Sequence, residues 1–223
     1  MSPIAISSRR SRLCHRRRSS NSRLVSLVRC CYHNLVNIKD ILTKIGATEA
    51  PLARQLLMTG LITRRLEERG KPAPVLIGGL ALSYYTREVY FTADIDLAYA
   101  DHDALGEVLQ ELGFVKKGRY WVHAGLDIAV EAPASGLAGE KAPYETVELE
   151  GGLSCFVIGL EDLIIDRMNA CKHWASEVDC EMTELLLARY GEEIDWAYLE
   201  KKAALPENGT LAELRARKDR KAS

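Results

Sequence analysis

The sequence lacks the patterns that mark several classes of protein. It has no secretory hydrophobic segment and no run of about 18 apolar residues, so we expect no membrane span and a cytoplasmic location. The six cysteines form no Cys-x-x-Cys pair and no repeated spacing, which favours reduced, mostly buried thiols. Cys171, His173 and Cys180 do not favour a zinc site, because residues two apart on a helix point to different faces.

Acidic residues are absent from positions 1–38, which hold eight of the 30 lysine and arginine residues. The rest of the chain therefore carries an acidic excess of about nine charges, which argues against a broad nucleic-acid-binding surface but leaves a local basic groove open. Three interpretations of the basic tail 1–36 compete: a disordered arm that binds nucleic acid or an anionic surface, a transit-peptide-like segment, or an upstream extension of the reading frame. We favour the extension, with a natural start near Val36 or Asn37, because the composition changes sharply there.

The remaining pattern is that of an ordinary globular domain, with 47% hydrophobic and 27% charged residues among 223. Helical spacing predicts two helices over 37–71, broken at Gly46, with Thr48 as a candidate N-cap. Short strands and helices alternate beyond them, and the chain is helical from Leu160 onward. We predict an α/β (α+β) fold with a small mixed sheet, divided into the basic tail 1–36, a core with leading helices over 37–158, and a C-terminal helical region over 159–223.

Two aspartates stand one residue apart in the otherwise apolar strand "TADIDLAYA". Alternate side chains share one face of a strand, so Asp94 and Asp96 point the same way while Ile95 and Leu97 point into the core. Two carboxylates in a partly buried site repel each other unless a cation lies between them. Mg²⁺ or Mn²⁺ suits such oxygen ligands and takes further ligands from phosphates. A strand end that merely meets solvent is the simpler alternative, but it leaves the glycines upstream unexplained.

Those glycines, Gly78 and Gly79, lie between an apolar strand and a short segment compatible with a helix. Glycine there lets a triphosphate approach the backbone, and the helix N-terminus offers it amide donors. A third acid, Asp127, lies among apolar residues in "GLDIAVEA". It completes a site of three carboxylates if its strand lies beside that of Asp94 and Asp96; otherwise it is only a hairpin acid.

This combination resembles the nucleotidyltransferase superfamily of the DNA polymerase β type. "LIGG", a spacer, "DIDL" and a later aspartate are similar to that family's signature of an apolar residue, Gly, Gly or Ser, a spacer, and Asp-apolar-Asp-apolar. "GGLALSYYTREVYFTADIDLAYA" and the later "EDLIIDR" are most similar to small prokaryotic members related to abortive-infection and toxin proteins. The resemblance covers residues 74–200.

The resemblance implies an enzyme that transfers a nucleoside monophosphate from an NTP to a hydroxyl of an RNA such as tRNA, a protein or a small molecule. Asp94, Asp96 and Asp127 would be catalytic and would hold Mg²⁺ or Mn²⁺. The nucleotide-binding residues would be Gly78, Gly79, Ser83, Arg167 and Lys172. The resemblance also implies a toxin of a toxin–antitoxin or phage-defence system, with an antitoxin as a further partner.

Two departures from the family pattern limit this transfer. The spacer of residues 80–93 is slightly longer than usual, and Tyr90 stands where close relatives often carry an arginine. Both leave an alternative open, in which the chain is a catalytically inactive member that binds or regulates a partner.

Overall fold

The computed structural model describes residues 7–10, 37–134 and 144–222. Two helices lead the main part of the chain and a third follows the first core strand. A fourth lies between two strands, and the remaining helices form the C-terminal region. In chain order they are α1 (Ile38–Ala47), α2 (Pro51–Glu68), α3 (Gly78–Thr86), α4 (His102–Glu111), α5 (Leu160–His173), α6 (Glu177–Tyr190), α7 (Trp196–Ala203) and α8 (Leu211–Ala222).

The strands form one mixed sheet in the order β1-β7-β8-β2-β3-β6-β5-β4. Their bounds are β1 (Ser7–Arg10), β2 (Val75–Ile77), β3 (Asp94–Ala98), β4 (Val115–Lys117), β5 (Tyr120–His123), β6 (Ile128–Ala134), β7 (Tyr144–Glu148) and β8 (Ser154–Ile158). β3 pairs with β6, and β2 with β8, in parallel, while the other neighbours are antiparallel. The predicted fold class, a mixed sheet with flanking helices and a helical C-terminal part, is confirmed.

Most of the predicted elements lie where the sequence pattern put them. Asp101 caps α4, its side chain accepting a hydrogen bond from the Ala104 amide at 3.0 Å. Thr48 does not cap α2, because Pro51 begins that helix after Ala50, and Thr48 instead ends α1. The sequence pattern also missed β4, an edge strand whose three side chains are all exposed. An edge strand of this kind has no buried face, so it leaves no apolar alternation in the sequence.

The core lies between the sheet and its helices. Buried side chains of the central strands, such as Leu76, Ile95 and Val130, pack with those of α2 and α3, including Leu61 and Leu82. On β3 and β6 these buried residues alternate along the strand and point to the core. The residues between them point to the opposite face of the sheet, where polar side chains lie. The sheet therefore presents a polar face where β3 and β6 lie side by side.

The C-terminal helices are fastened to one another by covalent and polar links. Cys171 of α5 and Cys180 of α6 form a disulfide with a Cα–Cα distance of 4.8 Å. The expectation that all cysteines are reduced is therefore wrong for this pair. The reason is tertiary: a pairing between two helices depends on how they pack and leaves no spacing motif in the sequence.

Of the basic tail 1–36, the structure describes Ser7–Arg10, which pair with β7 at one edge of the sheet. The other residues of the tail lie outside the described residues, and with them the predictions of disorder and of a start near Val36 or Asn37. The division of the chain into a tail, a core and a helical region stays a prediction. Within the described ranges, no helix is both long and apolar enough to cross a membrane.

Candidate active site

Asp94 and Asp96 lie on the polar face of β3, as predicted. Both are partly exposed, whereas Ile95 and Leu97 between and beside them are fully buried on the opposite face. β3 is a central strand that pairs with β2 on one side and β6 on the other. Two carboxylates are thus held two residues apart on a strand with ordered neighbours on both sides.

A third carboxylate on this face belongs to Glu131. Parallel pairing of β3 and β6 puts Asp96 directly opposite Glu131 and Asp94 opposite Ala129. The register shifts immediately after this pair, so a bulge begins beside Glu131, a common device next to functional sites. Neighbouring strands lie about 4.8 Å apart, which brings Glu131 beside Asp96 on the same face.

Glu131 was missed by the sequence analysis, although the signal was present. In "GLDIAVEA" Asp127, Ala129 and Glu131 have the same parity, so alternation alone assigns both acids to one face. The structure puts Asp127 in the turn before β6, exposed and with a φ of 50°. It brings Glu131, rather than Asp127, into register with Asp96.

The glycine pair lies directly against the Asp96 carboxylate. Gly78 has a φ of 63°, and a Cβ added there would overlap the carboxylate of Asp96, 2.9 Å from its Cγ. The amide of Gly79 points at Asp96 Oδ2 from 3.4 Å. Gly78 and Gly79 also begin α3, so the N-terminus of a helix lies beside the Asp96 carboxylate.

The electrostatics at Asp96 are those of crowded acids. Burial raises the pKa of Asp96, and the nearby charges of Glu131 and Asp94 raise it further, while the Gly79 amide and the Arg167 guanidinium act in the opposite direction. The net effect is a raised pKa. A carboxylate with a raised pKa beside two other acids is typical of sites that bind a cation or move a proton.

Arg167 of α5 is close enough to lower the pKa of Asp96, but its guanidinium is already engaged. It donates to Asp179 of α6 at 2.8 Å and pairs with Asp166 beside it. Its side chain is only 14% exposed. In this arrangement Arg167 contributes positive charge to the site, and these two ion pairs hold it in place.

Arg119 is a second cation at the site that the sequence analysis did not single out. It lies in the β4–β5 turn, and its side chain is 70% exposed. Its Nε is 3.4 Å from Oε1 of Glu131, whose side chain is 13% exposed. The guanidinium covers the ring of Tyr120, 4.8 Å from its centroid. Glu131 is therefore a largely buried carboxylate that forms an ion pair with an exposed arginine, whose long side chain costs conformational entropy to hold in place.

Two other residues predicted to bind nucleotide make contacts within the protein, and their role in binding stays a prediction. Ser83 is buried and donates a hydrogen bond to the carbonyl oxygen of Tyr90 at 2.7 Å. Lys172 forms an ion pair with Glu213 of α8 at 2.7 Å and donates to the carbonyl oxygen of Gly209. The structure thus joins Gly78, Gly79, Asp94, Asp96 and Arg167 in one region, and it uses Ser83 and Lys172 for packing and helix contacts.

The loop from Arg87 to Ala93 leads into the acidic strand and is fixed at its base. Its carbonyl at Tyr90 is held by Ser83, and its carbonyl at Thr92 accepts from Gln55 of α2 at 3.1 Å. Arg87 and Glu88 both have positive φ angles, which side chains adopt only when the surroundings impose it. The long spacer before Asp94 therefore consists of most of α3 and an ordered turn that fixes where β3 begins.

The carboxylates of Asp94, Asp96 and Glu131 are oxygen ligands of the kind that a hard divalent cation prefers. Three carboxylates share a face, and their mutual repulsion at Asp96 is the kind that a bound cation relieves. Within the described ranges, however, no three acidic, histidine or cysteine side chains already converge at the spacing of metal ligands. The side chains would have to rotate towards a shared ion.

Comparisons with known proteins give a likeness of structure alone. No model of a protein family matches the chain, and no curated protein matches its sequence. In structure the chain is similar to the antibiotic-resistance factor ANT(2'')-Ia, a nucleotidyltransferase of the DNA polymerase β type whose solution structure is described as revealing substrate-regulated conformation dynamics. The alignment has 16% sequence identity, covers 80% of this chain and 94% of that chain, and has a TM-score of 0.42.

The resemblance to nucleotidyltransferases that the sequence predicts is thus found as a likeness to a solved structure. At this TM-score it carries no argument about family, substrate or mechanism, which rest on the residues of the chain itself.

Proposed function

We propose that the protein transfers a nucleoside monophosphate from an NTP to a hydroxyl group of an acceptor. The observation that carries this proposal is the alignment of Asp94, Asp96 and Glu131 on one face, next to a glycine turn that begins a helix. Carboxylates that crowd together cost stability, so their presence beside a phosphate-binding type of turn favours a functional role. Glu131 takes the role in this proposal that the sequence pattern suggested for Asp127.

The chain's own groups divide the reaction between them. Amides at the start of α3, including that of Gly79, bind the phosphates of the NTP. The acceptor oxygen attacks the α-phosphorus, a new P–O bond forms, and the bond to pyrophosphate breaks. The proton of the hydroxyl passes to the Glu131 carboxylate, which acts as the general base. Positive charge from Arg167 and Arg119 offsets the charge of the phosphates.

Asp94, Asp96 and Glu131 would hold the divalent cation, Mg²⁺ or Mn²⁺. When bound, this ion neutralises triphosphate charge and lowers the pKa of the attacking hydroxyl. The neutral glycine backbone and the crowded carboxylates agree with this assignment, because the site has an excess of negative charge before any ion binds.

A matched pair of variants tests the proposal. The purified protein is incubated with radiolabelled NTPs, Mg²⁺ and total cell RNA, protein or extract, and transfer of label is measured. We expect Glu131→Gln to lower transfer at least about 100-fold, equivalent to about 2.7 kcal/mol, because it removes the base. Asp127→Asn should retain transfer within about threefold.

Absence of label with every NTP and every acceptor fraction would contradict the proposal. Loss of transfer in Asp127→Asn, with Glu131→Gln active, would return the role of third acid to Asp127. Asp94→Asn serves as the inactive reference in both cases.

A second candidate is a protein of the same fold that binds or regulates without catalysis. It is favoured by one observation: the carboxylates do not converge as metal ligands within the described ranges. Calorimetry distinguishes the two functions, because this candidate requires that no Mg²⁺-dependent NTP binding be detected.

The resemblance to toxin-related proteins adds a proposal about the biological role, namely a toxin of a toxin–antitoxin or phage-defence system. Induced expression should then arrest growth, and Asp94→Asn should relieve the arrest. Normal growth at high levels of active enzyme would contradict this role.

A further inference from the structure

A basic hairpin lies beside the acidic site, within the part of the chain after residue 38 that has an acidic excess. The hairpin comprises residues 115–123, that is β4, β5 and the turn at Gly118. From Leu112 to Leu126 the sequence has no acid, while Lys116, Lys117 and Arg119 supply three positive charges. All three are exposed. A local cluster of positive charge of this kind is typical of a surface that binds an anionic partner.

The pairing of neighbouring strands places residues of this hairpin and residues of the acidic site in one row across the sheet. Ile77, just before the glycine turn, is paired with Asp96, and Asp96 is paired with Glu131. Trp121 is paired with Val130, so the same register continued by one residue sets Tyr120 opposite Glu131. Tyr120 is in turn paired with Lys117. Directly opposed side chains share a face, so Tyr120 and Lys117 lie on the face of the carboxylates.

The two ends of this row differ in what they can bind. At one end lies the start of α3, where the NTP phosphates bind in the proposed function, and at the other lies the basic hairpin. Lys117 is three strands from Asp96, or about 14 Å at the usual strand spacing. A small acceptor cannot contact both, whereas an extended polyanion can. An acceptor that contacts both would therefore enter from the hairpin side and extend along it.

Aromatic rings accompany the cations of the hairpin. Arg119 covers Tyr120 on the site face, and Lys116 covers Trp121 at 5.6 Å on the opposite face. Cations that follow a backbone, next to rings on which bases stack, are the usual means of holding single-stranded nucleic acid without sequence preference. Among the described residues no strand pairs with the outer edge of β4, so the hairpin is open along that edge.

We infer that the β4–β5 hairpin docks the acceptor and that the acceptor is a single-stranded nucleic acid, held by Lys117, Arg119 and Tyr120 with its terminal hydroxyl directed at Glu131. This inference rests on the proposed function for the direction of transfer, but strand binding by the hairpin is testable without catalysis.

The test compares two neighbouring lysines that differ in the face they occupy. Binding of a fluorescein-labelled single-stranded RNA is measured by anisotropy, without NTP and with EDTA, over a range of salt concentrations. Lys117→Gln should weaken binding about fivefold at 0.1 M salt and reduce the slope of log K against log salt by about 0.7, because one phosphate contact is lost. Lys116→Gln, which removes the same charge from the opposite face, should leave the slope unchanged.

Two further ligands, tested in the same assay, define what the hairpin recognises. Single-stranded DNA of the same length separates recognition of the phosphate backbone from recognition of the ribose 2′-hydroxyl. An acidic peptide that binds more tightly than either strand would overturn the inference, and so would equal effects of the two lysine variants or no strand binding at all. Binding that depends on Lys117 upholds docking of the strand by the hairpin even if no nucleoside monophosphate is ever transferred, and the missing transfer then counts against the proposed function alone.

Discussion

At the scale of single residues, Gly78 couples the backbone to the acidic site. Its positive φ disfavours any side chain, and its hydrogen atoms face the Asp96 carboxylate where a methyl group would overlap it. The two constraints have different consequences, since the first affects stability and the second moves a functional group. A comparison with another glycine separates them.

We expect Gly78→Ala to lower both stability and the transfer of the nucleoside monophosphate, and Gly70→Ala to lower stability alone. Both glycines have φ angles near 65°, so each substitution costs about 1–2 kcal/mol of backbone strain. A Cβ at Gly70 meets no atom within 4 Å, whereas at Gly78 it displaces Asp96. Urea unfolding and a transfer assay on both variants check this prediction. Equal loss of transfer in the two would show that strain, and not the contact with Asp96, is responsible.

Asp96 also gives the protein a pH dependence of stability. Its folded pKa is raised, chiefly by burial, so the folded state holds this proton more tightly than the unfolded state does. The resulting stabilisation is fully present below the unfolded pKa of about 3.9 and is lost as the pH rises through the folded pKa. At neutral pH the ionised carboxylate therefore lowers stability.

The expected outcome is that Asp96→Asn melts at a higher temperature than the wild type at pH 7.5 in EDTA. The gap should narrow towards pH 4, where the wild-type carboxyl is increasingly protonated in both states. Thermal scans across this pH range check the prediction. A wild type that is more stable than Asp96→Asn at neutral pH would contradict the sign of the shift.

At the scale of secondary-structure elements, the sequence predicted the strand that carries Asp94 and Asp96 and the helix start at Gly78. Both follow from local pattern: alternation on a half-buried strand, and glycines between a strand and a helix. The sequence could not choose between Asp127 and Glu131, since they have the same parity. That choice depends on the register of β6 against β3, which long-range pairing and the bulge after Glu131 determine.

The link between α5 and α6 was beyond sequence analysis for a similar reason. Cys171 and Cys180 lie on separate helices and meet because those helices pack antiparallel across a short turn. The same packing brings Arg167 of α5 to Asp179, which directly precedes Cys180. The disulfide therefore supports the ion pair that holds Arg167 near Asp96.

Reduction of this disulfide should lower the free energy of unfolding by about 2–3 kcal/mol, from the loop-closure entropy for a separation of nine residues. Urea unfolding with and without dithiothreitol measures this. The Cys171→Ser/Cys180→Ser double variant is the control, and its stability should not respond to the reductant. A wild type that is equally insensitive would mean that the bond does not form in solution.

At the scale of the whole molecule, ligand binding should be visible as global stabilisation. The sheet, the leading helices and the C-terminal helices share one buried core, so occupancy of the site stabilises all of them together. An NTP with Mg²⁺ at 100 times its Kd adds about 2.7 kcal/mol. For a chain of this size that corresponds to a rise in Tm of about 5–10 °C.

Differential scanning fluorimetry with each NTP checks this prediction and identifies the preferred base. The Asp94→Ala/Asp96→Ala double variant is the control, and its melting temperature should not respond to Mg²⁺ and NTP together. A rise of equal size in that variant would place the nucleotide away from the carboxylates.

The parallel pairing of β3 with β6 has a consequence for the time at which the site comes into existence. A chain growing on the ribosome contains the glycine turn and both aspartates long before Glu131 and Arg167 are made. At about 5–20 residues per second, the interval between Asp96 and Arg167 is about 4–14 s. Glu131 is made about halfway through that interval and Arg167 at its end, so the proposed catalytic centre stays incomplete until most of the chain has been synthesised.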